Sequence, residues 1–269
     1  FLGRYIPESP RFLSNAGLDN EARAVLARFA GEGGAAAANR DAPPIIVAEP
    51  EPPPGGIMQL LRGSHARITW GLMVCGIAWG LVNFGFLLWL PTNLGSMGMD
   101  ATAASALLAR SALLALPGIA VVIWLYHRWS SIKALVLFIA LTTATLLVFF
   151  GLGLAQVQST LAMVLTTALL LVSSSGVIAM LIPYAAEIYP VHLRGTGSGV
   201  IAASSKFGGI LGAGFGVLGV FGHFTASALL IAVPMAIAAL MLVRSGIETR
   251  GRGLEDIQDL LDAGRGTPS

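Results

Sequence analysis

The sequence predicts an all-α membrane protein with six transmembrane helices, and three observations lead to that fold class. The composition is too apolar for a soluble domain, because 55% of the residues are hydrophobic and only 11% are charged, against about 25% charged in a typical soluble protein. Three long stretches, residues 68–99, 134–186 and 207–243, contain no Asp, Glu, Lys or Arg. These stretches show no alternation of polar and apolar residues, so helices rather than a barrel must satisfy the backbone in lipid.

The N-terminal residues 1–66 are polar and contain two kinds of sequence. Ser9-Pro10 is typical of a helix start, and a second short helix fits residues 18–30, where apolar side chains fall on one face. Residues 31–56 are rich in Gly, Ala, Pro and Glu, which predicts a disordered linker. We therefore expect residues 1–66 to form a loop outside the membrane, with short helices and a linker.

Polar or Gly/Pro-containing breaks divide residues 67–243 into six segments, each near the length of about 20 residues that a helix needs to cross a membrane. Asp100 lies in the turn before the second segment, where its side chain is expected to cap that helix. Residues 244–269 form a tail. The predicted spans, numbered one to six, are residues 68–90, 105–126, 134–155, 160–184, 198–221 and 226–243.

Lysine and arginine occur in the loops on only one side of this predicted bundle. They precede span one, separate span two from three and span four from five, and follow span six, whereas the three opposite loops contain none. By the positive-inside rule, both termini of this multi-pass protein of the cell membrane are cytoplasmic.

Three short motifs are consistent with this topology. Pro7–Leu13 has the sequence PESPRFL, Glu187–Gly197 has EIYPVHLRGTG between spans four and five, and Glu248–Ile257 has ETRGRGLEDI after span six. Together they resemble the major facilitator superfamily in its sugar-porter and metabolite:proton symporter branches. The resemblance implies the C-terminal half of a twelve-helix fold, with a six-helix N-terminal half missing from this chain.

Two further segments bear on the branch of that family. Phe86–Pro91 (FLLWLP) is similar to the ending common in the metabolite:proton symporters, and the Gln-Gln pair that sugar porters place in this helix is absent. The loop Tyr126–Lys133 is a degraded form of the Asp-Arg-x-Gly-Arg-Lys turn of the family. Arg128 is kept, but His127 stands where the acid would be, which puts a salt-bridge role for this loop in doubt.

The resemblance implies secondary active transport of a small metabolite, either an organic acid or a sugar-like solute, by alternating access. Proton coupling is expected, and because no Asp or Glu lies within a predicted span, the proton-binding carboxylate is expected in the missing half. The alternative is a non-transporting receptor or assembly protein built on a transporter-like bundle. Polar groups facing a water-filled cavity would favour the carrier, and a bundle centre sealed by Leu and Phe would favour the alternative.

Two cations lie inside predicted spans, where a charge costs roughly 2.5–3.5 kcal/mol on insertion scales. Such a cation marks a solute pathway that attracts an anion, or it reaches the interface by snorkelling. The Ser173–Ser175 run before Gly176 is expected to permit close helix packing instead. The predicted pathway residues are Trp79, Asn83, Arg110, Tyr184 and Lys206.

Charged residues of the three motifs could pair between cytoplasmic loops and close a gate in one state, as the resemblance to sugar porters suggests. The alternative is that they serve only as topology anchors, since exposed ion pairs are worth about 0–1 kcal/mol each. These gate candidates are Glu8, Arg11, Glu187, Arg194, Glu248 and Arg250.

Other function classes find no support. The four histidines are scattered without metal-ligand spacing, and no Walker-type phosphate loop is present, so we expect no enzyme, metal or cofactor. Basic residues do not cluster on one amphipathic face, so a nucleic-acid partner is not expected. The expected partners are the lipid bilayer, a small-molecule substrate and protons.

Gly208, Gly212 and Gly216 repeat at a spacing of four in span five. Small residues on one helix face let helices approach closely. Within a six-helix bundle this predicts tight internal packing, whereas in an isolated helix it would predict dimerisation.

Overall fold

The computed structural model describes residues 8–10, 13, 17–30, 56–96, 100–157, 159–251, 257 and 260. The chain divides into two compact units, Phe1–Pro53 and Pro54–Ser269, which are described separately. Arg11 and, apart from Gly56, the predicted linker lie outside the described residues.

The first unit contains a helix at Asp19–Ala30. Asp19 and Glu21 lie in its first turn and Arg28 in its last, a distribution of charge that favours the helix dipole. Ala22 is fully buried, whereas Leu18 and Leu26, one turn before and after it, are exposed.

The second unit contains six helices that are long and apolar enough to cross a membrane, which confirms the predicted number of spans. Span one runs without interruption through an α, a π and a second α segment, Ala66–Gly80, Leu81–Leu87 and Leu88–Ser96. A short helix, Ile57–Arg62, precedes it. Spans two to six are Ala101–Arg128, Ser131–Leu154, Thr160–Ile188, Val191–Val217 and Phe224–Ser245.

Several predicted helix ends differ from the structure, most clearly at the end of span one and at the turn between spans four and five. Span one was expected to end before Pro91, but Pro91 lies inside the helix, because the preceding π segment changes the backbone register and accommodates the missing N–H. The motif at 187–197 was expected to be a turn between predicted spans 160–184 and 198–221. Only Tyr189 and Pro190 of this motif are non-helical, because Pro190 ends span four and span five begins directly after it.

Polar side chains cap three of the spans. Asp100 accepts a hydrogen bond from the N–H of Thr102 at 3.1 Å, which confirms its predicted capping role. Ser130 accepts from the N–H of Lys133 at 3.2 Å. Ser159 caps span four in the same way. Each cap satisfies an N–H group that the helix itself leaves unpaired.

The six spans pack as two equivalent sets of three. Span one packs on spans five and six, span four packs on spans two and three, and span three packs on span six. Exchanging spans one, two and three with four, five and six reproduces the same set of contacts. This is the contact pattern expected of two three-helix repeats.

Three phenylalanines fill part of the interior of the bundle. Phe86, Phe149 and Phe224 join spans one, three and six, with ring centroids 5.1 to 5.7 Å apart. All three side chains are buried. These rings close the space between spans one, three and six to a solute, so a solute path would have to lie on an outer face of the spans.

Spans one and five come into backbone contact through their glycines. A Cβ at Gly208 would overlap the carbonyl of Ile77, and a Cβ at Gly212 would lie 2.7 Å from the Gly85 nitrogen. Gly216 lies against the indole of Trp89. The glycine repeat of span five therefore packs inside the bundle, as predicted.

Candidate solute site and the network at the basic end

Several polar and aromatic side chains lie halfway along three spans that pack on one another. Trp79, Asn83 and Phe84 lie near the middle of span one, Ser175 near the middle of span four and Lys206 near the middle of span five. We call these five residues the midplane cluster. Solute sites of secondary carriers lie near the bilayer midplane, between repeats.

Trp79 connects spans one and four at this depth. Its Nε1 donates to the backbone oxygen of Ser174 at 2.8 Å, and these two spans are the first helices of the two repeats. The ring of Phe84 lies edge-on to the indole, with centroids 6.5 Å apart and planes at 82°. Phe84 is 39% exposed, so the aromatic pair reaches the surface of the bundle.

Asn83 lies in the π segment of span one. Its Nδ2 donates to the backbone oxygen of Trp79 at 3.0 Å, a carbonyl at the point where α geometry changes to π geometry. Oδ1 of Asn83 meets no donor among the described residues, so it is available as an acceptor. Short π segments inside helices are frequent at functional sites.

Lys206 is exposed beside the point where spans one and five touch. A Cβ at Gly80 would overlap the backbone oxygen of Ser205, and the Phe84 ring lies over Gly209, one turn along the helix from Lys206. Lys206 forms no ion pair with an acid in the described part of the chain. Since a lysine at this depth would cost roughly 2.5–3.5 kcal/mol against lipid, the face that carries it is expected to meet a polar environment.

The serine run before Gly176 divides between packing and exposure. The hydroxyls of Ser173 and Ser174 donate to carbonyls of their own helix at 3.2 and 3.5 Å, and Gly176 lies against the Phe138 ring. Ser173, Ser174 and Gly176 thus permit close packing, as expected. Ser175 is exposed and joins the midplane cluster instead.

Two other predicted pathway residues lie elsewhere. Arg110 is exposed, and its neighbour Ser111 donates to the oxygen of Val164 at 3.1 Å, ten positions or about 15 Å along span four from Ser174. Tyr184 is fully buried. Its hydroxyl donates to the oxygen of Ile247 at 2.7 Å and accepts from the Ile247 N–H at 2.9 Å, so no face of it is open to a solute.

The second group of polar residues forms a network at one end of the bundle, around residues 128–131, 184–194 and 247–250. We call this the basic end. Glu248 accepts from the hydroxyl of Ser130 and from the N–H of Ser131 at 3.1 Å. Its carboxylate therefore lies at the N-terminus of span three, where the helix dipole favours negative charge.

The pKa of Glu248 is shifted by its surroundings. Partial burial raises the pKa, but the hydrogen bonds from Ser130, Arg250 and Ser131, together with the charge of Lys133, lower it further than burial raises it. The net pKa lies below its ordinary value of 4.5. Glu248 is therefore a carboxylate at neutral pH.

Arg250 binds the end of span two, next to the start of span three that Glu248 binds. Its Nη1 donates to the backbone oxygens of Arg128 and, at 2.5 Å, of Trp129, at the C-terminus of span two. A cation is stabilised at that position by the helix dipole. One short segment after span six thus places an acid on the start of span three and a base on the end of span two.

The remaining gate candidates are arranged differently. Thr249 donates to Glu187 at 2.6 Å, which attaches the same segment to the end of span four. Nε of Arg194 is buried and has no acceptor among the described residues. Glu8 lies in the first unit, and Arg11 lies outside the described residues.

Sequence reasoning missed Phe84, Thr249 and Tyr189. The Tyr189 hydroxyl and the Thr69 hydroxyl are 2.9 Å apart, and Gly197 lies directly against the Tyr189 ring. The glycine within the motif was the available signal for Tyr189, because a side chain there would overlap the ring. Nothing in the sequence distinguishes Phe84 from its apolar neighbours, because it was its exposed ring in the folded bundle that made it a member of the midplane cluster.

Comparison with known proteins matches the chain to one family of membrane transporters. The model of the Major Facilitator Superfamily matches residues 24–213. The "Putative metabolite transport protein YdjK" of Escherichia coli (strain K12) is 27% identical over 267 residues, covering 94% of this chain and 55% of that protein. The "Putative niacin/nicotinamide transporter NiaP" of Bacillus subtilis (strain 168) is 29% identical over 191 residues, 68% of this chain and 46% of that protein.

Among solved structures, the proton:xylose symporter XylE bound to 6-bromo-6-deoxy-D-glucose has a similar fold. The TM-score is 0.63 at 15% identity, over 97% of this chain and 55% of XylE. The chain thus spans about half the length of the relatives it matches. At this identity the likeness to XylE concerns the fold alone.

Proposed function

Because the chain belongs to the major facilitator superfamily, we propose that it supplies six helices of a secondary carrier that moves a small metabolite by alternating access. The observation that carries this proposal is the midplane cluster, and above all its exposed lysine, Lys206. A lysine halfway along a membrane span is costly in lipid and useful in a polar solute path.

Lys206 favours an organic acid over a sugar as the solute. Its ammonium group attracts anions, and none of the candidate spans carries an Asp or Glu except Glu187 at the basic end. The related proteins are described as carriers of metabolites, of niacin or nicotinamide, and of xylose. Carriers of this kind are not enzymes.

The proposal includes proton coupling through a group outside this chain's spans. A coupled carrier needs a side chain that binds and releases a proton in the pathway, and the midplane cluster contains no carboxylate. We place the proton-binding carboxylate in an N-terminal six-helix half that pairs with this chain. Spanning about half of the relatives' length, this chain would by itself form only one wall of the solute path.

The basic end is proposed to face the cytoplasm, with both termini on that side of the cell membrane. Arginine and lysine in the loops lie at this end, as the positive-inside rule requires. The network around Glu187, Glu248 and Arg250 would then belong to a cytoplasmic gate. Nε of Arg194 is buried and has no acceptor in the described part of the chain, so Arg194 is suited to donate a hydrogen bond to a partner when the gate closes.

Counterflow uptake tests the proposed function. The complex that carries this chain is purified from its host membrane in mild detergent, its mass is measured, and it is reconstituted into liposomes loaded with one solute of a panel of organic acids and sugars. We expect exchange of an organic acid, stimulated by an inward proton gradient and abolished by a protonophore. Binding of a panel solute without exchange would contradict the proposal and would favour a receptor.

A further inference from the structure

We propose that the midplane cluster binds a planar aromatic monocarboxylate, with its ring in the corner between Trp79 and Phe84 and its carboxylate at Lys206. This inference rests on the proposed function and names the class of solute. Three properties of the cluster support it: its charge, its small number of free hydrogen-bonding groups and the angle between its two rings.

The charge of the cluster selects for a single negative charge. Lys206 is its one ionisable member, and the candidate spans have no acid at that depth. The attraction between unlike charges increases as water is excluded. A cationic solute would be repelled, and a dianion would leave one charge without a counterpart.

Most hydrogen-bonding groups near the cluster are already used. Nε1 of Trp79 is bound to Ser174, Nδ2 of Asn83 is bound to Trp79, and the Ser173 hydroxyl is bound within its own helix. What remains is the Lys206 ammonium, Oδ1 of Asn83 and the exposed Ser175. A sugar carries hydroxyls around its whole ring, and each needs a partner when it leaves water. These few groups instead suit a solute with polar atoms at one end and an apolar body.

The aromatic pair has the geometry to hold that body. The bond to Ser174 fixes the indole plane of Trp79, and the Phe84 ring stands at 82° to it. Phe84 is held in place over Gly209, where a Cβ would lie 2.8 Å from the ring. A third ring in such a corner stacks on one face and meets the other edge-on, both favourable arrangements.

The distance from this corner to the cation fits a short aromatic acid. Lys206 lies three residues from Gly209, which is about 4.5 Å along the helix axis. The flexible lysine side chain can cover that distance and reach a carboxylate attached directly to a ring held at Phe84. Asn83 and Ser175 would then hydrogen-bond substituents on the ring.

Binding to the purified complex tests the inference with four probes: benzoate, benzamide, cyclohexanecarboxylate and glucose. Benzamide has the ring without the charge, and cyclohexanecarboxylate has the charge without aromaticity. We expect calorimetry to show benzoate binding at least about tenfold more tightly than each of the other three. Equal binding of benzamide would overturn the role of Lys206, and equal binding of cyclohexanecarboxylate would overturn the role of the rings.

Two pairs of variants assign the binding to named residues. Lys206→Gln should weaken benzoate binding about tenfold without affecting benzamide binding, and Lys206→Arg should retain benzoate binding. Arg62→Gln, which removes an exposed positive charge outside both the midplane cluster and the basic end, should have no effect. Trp79→Leu and Phe84→Leu should each abolish the preference for benzoate over cyclohexanecarboxylate, whereas Trp70→Leu on another face of the same helix should not. If Trp79→Leu and Phe84→Leu both left the preference for benzoate unchanged, the proposal would be overturned.

Counterflow separates this inference from the proposed function. If benzoate binds with the expected selectivity but no solute is exchanged, the transport function fails and the binding site stands. If other solutes are exchanged while benzoate neither binds nor competes, the aromatic site is overturned and the transport function stands.

Discussion

The midplane cluster and the basic end differ in how many of their polar side chains bind other groups of the protein. At the basic end, Glu248, Thr249 and Arg250 all bind groups of the protein itself. In the midplane cluster, Lys206 and Ser175 are exposed, and the described residues provide no partner for Oδ1 of Asn83. Polar groups that bind one another hold helices together, and polar groups left open can bind a solute.

The two regions also differ in how the backbone supports them. At the midplane, spans one and five touch through glycines, which brings their side chains into one cluster. At the basic end, one segment after span six bridges the ends of spans two, three and four through hydrogen bonds. The helices are therefore held together at the midplane by close backbone packing, and at the basic end by hydrogen bonds.

The largest effect is expected from a side chain placed between spans one and five. Gly208→Leu inserts a side chain against the backbone of Ile77, and such overpacking should cost about 3 kcal/mol, because backbone cannot move aside as a side chain can. Thermal melts and size-exclusion profiles of the purified complex measure the loss. Gly214→Leu on the same helix, where nothing lies within 4 Å of a Cβ, is the control. Equal stability of the two variants would contradict the close contact between Gly208 and the backbone of Ile77.

Much of the fold follows from charge and hydropathy alone. Charge-poor runs predicted six spans because lipid tolerates few charged residues. The end of span one could not be predicted, because Pro91 usually breaks a helix and the π segment that accommodates it has no clear sequence signal. The end of span four was also misplaced. The prediction ended the helix at Tyr184, before the polar motif, but the helix continues to Ile188.

The candidate site was only partly accessible from the sequence. Trp79, Asn83 and Lys206 were selected as polar residues in apolar helices, and the structure brings them to one depth. Arg110 and Tyr184 were selected by the same rule and lie elsewhere, because residue type does not reveal depth along a packed span. Which polar groups are satisfied internally depends on tertiary contacts, such as the bond of Tyr184 to Ile247.

An intermediate effect is expected at the attachment of the segment after span six. Tyr184→Phe removes one hydroxyl that makes two hydrogen bonds with the backbone of Ile247, and the unpaired groups should cost about 1–3 kcal/mol. Amide hydrogen exchange of residues 246–250 should accelerate, since the N–H of Ile247 loses its acceptor. Tyr189→Phe, which loses a single side-chain bond to Thr69, should leave exchange in that segment unchanged. Slow exchange in the Tyr184 variant would show that the segment is held by other contacts.

The smallest effect, and the one that tests the polar character of the basic end, is the pH dependence of Glu248. Its pKa in the folded protein lies below the ordinary value of 4.5, so the folded state binds the proton more weakly than the unfolded state. The stabilising contribution is therefore fully present above the ordinary value and is lost as the pH falls through the folded pKa. Glu248→Gln should lower stability by about 0.3–1 kcal/mol at neutral pH, and the melting temperatures of wild type and variant should converge below pH 4.5. If the difference at Glu248 stayed constant across this range, the contribution would come from shape rather than charge, and the distinction between the two regions would fail.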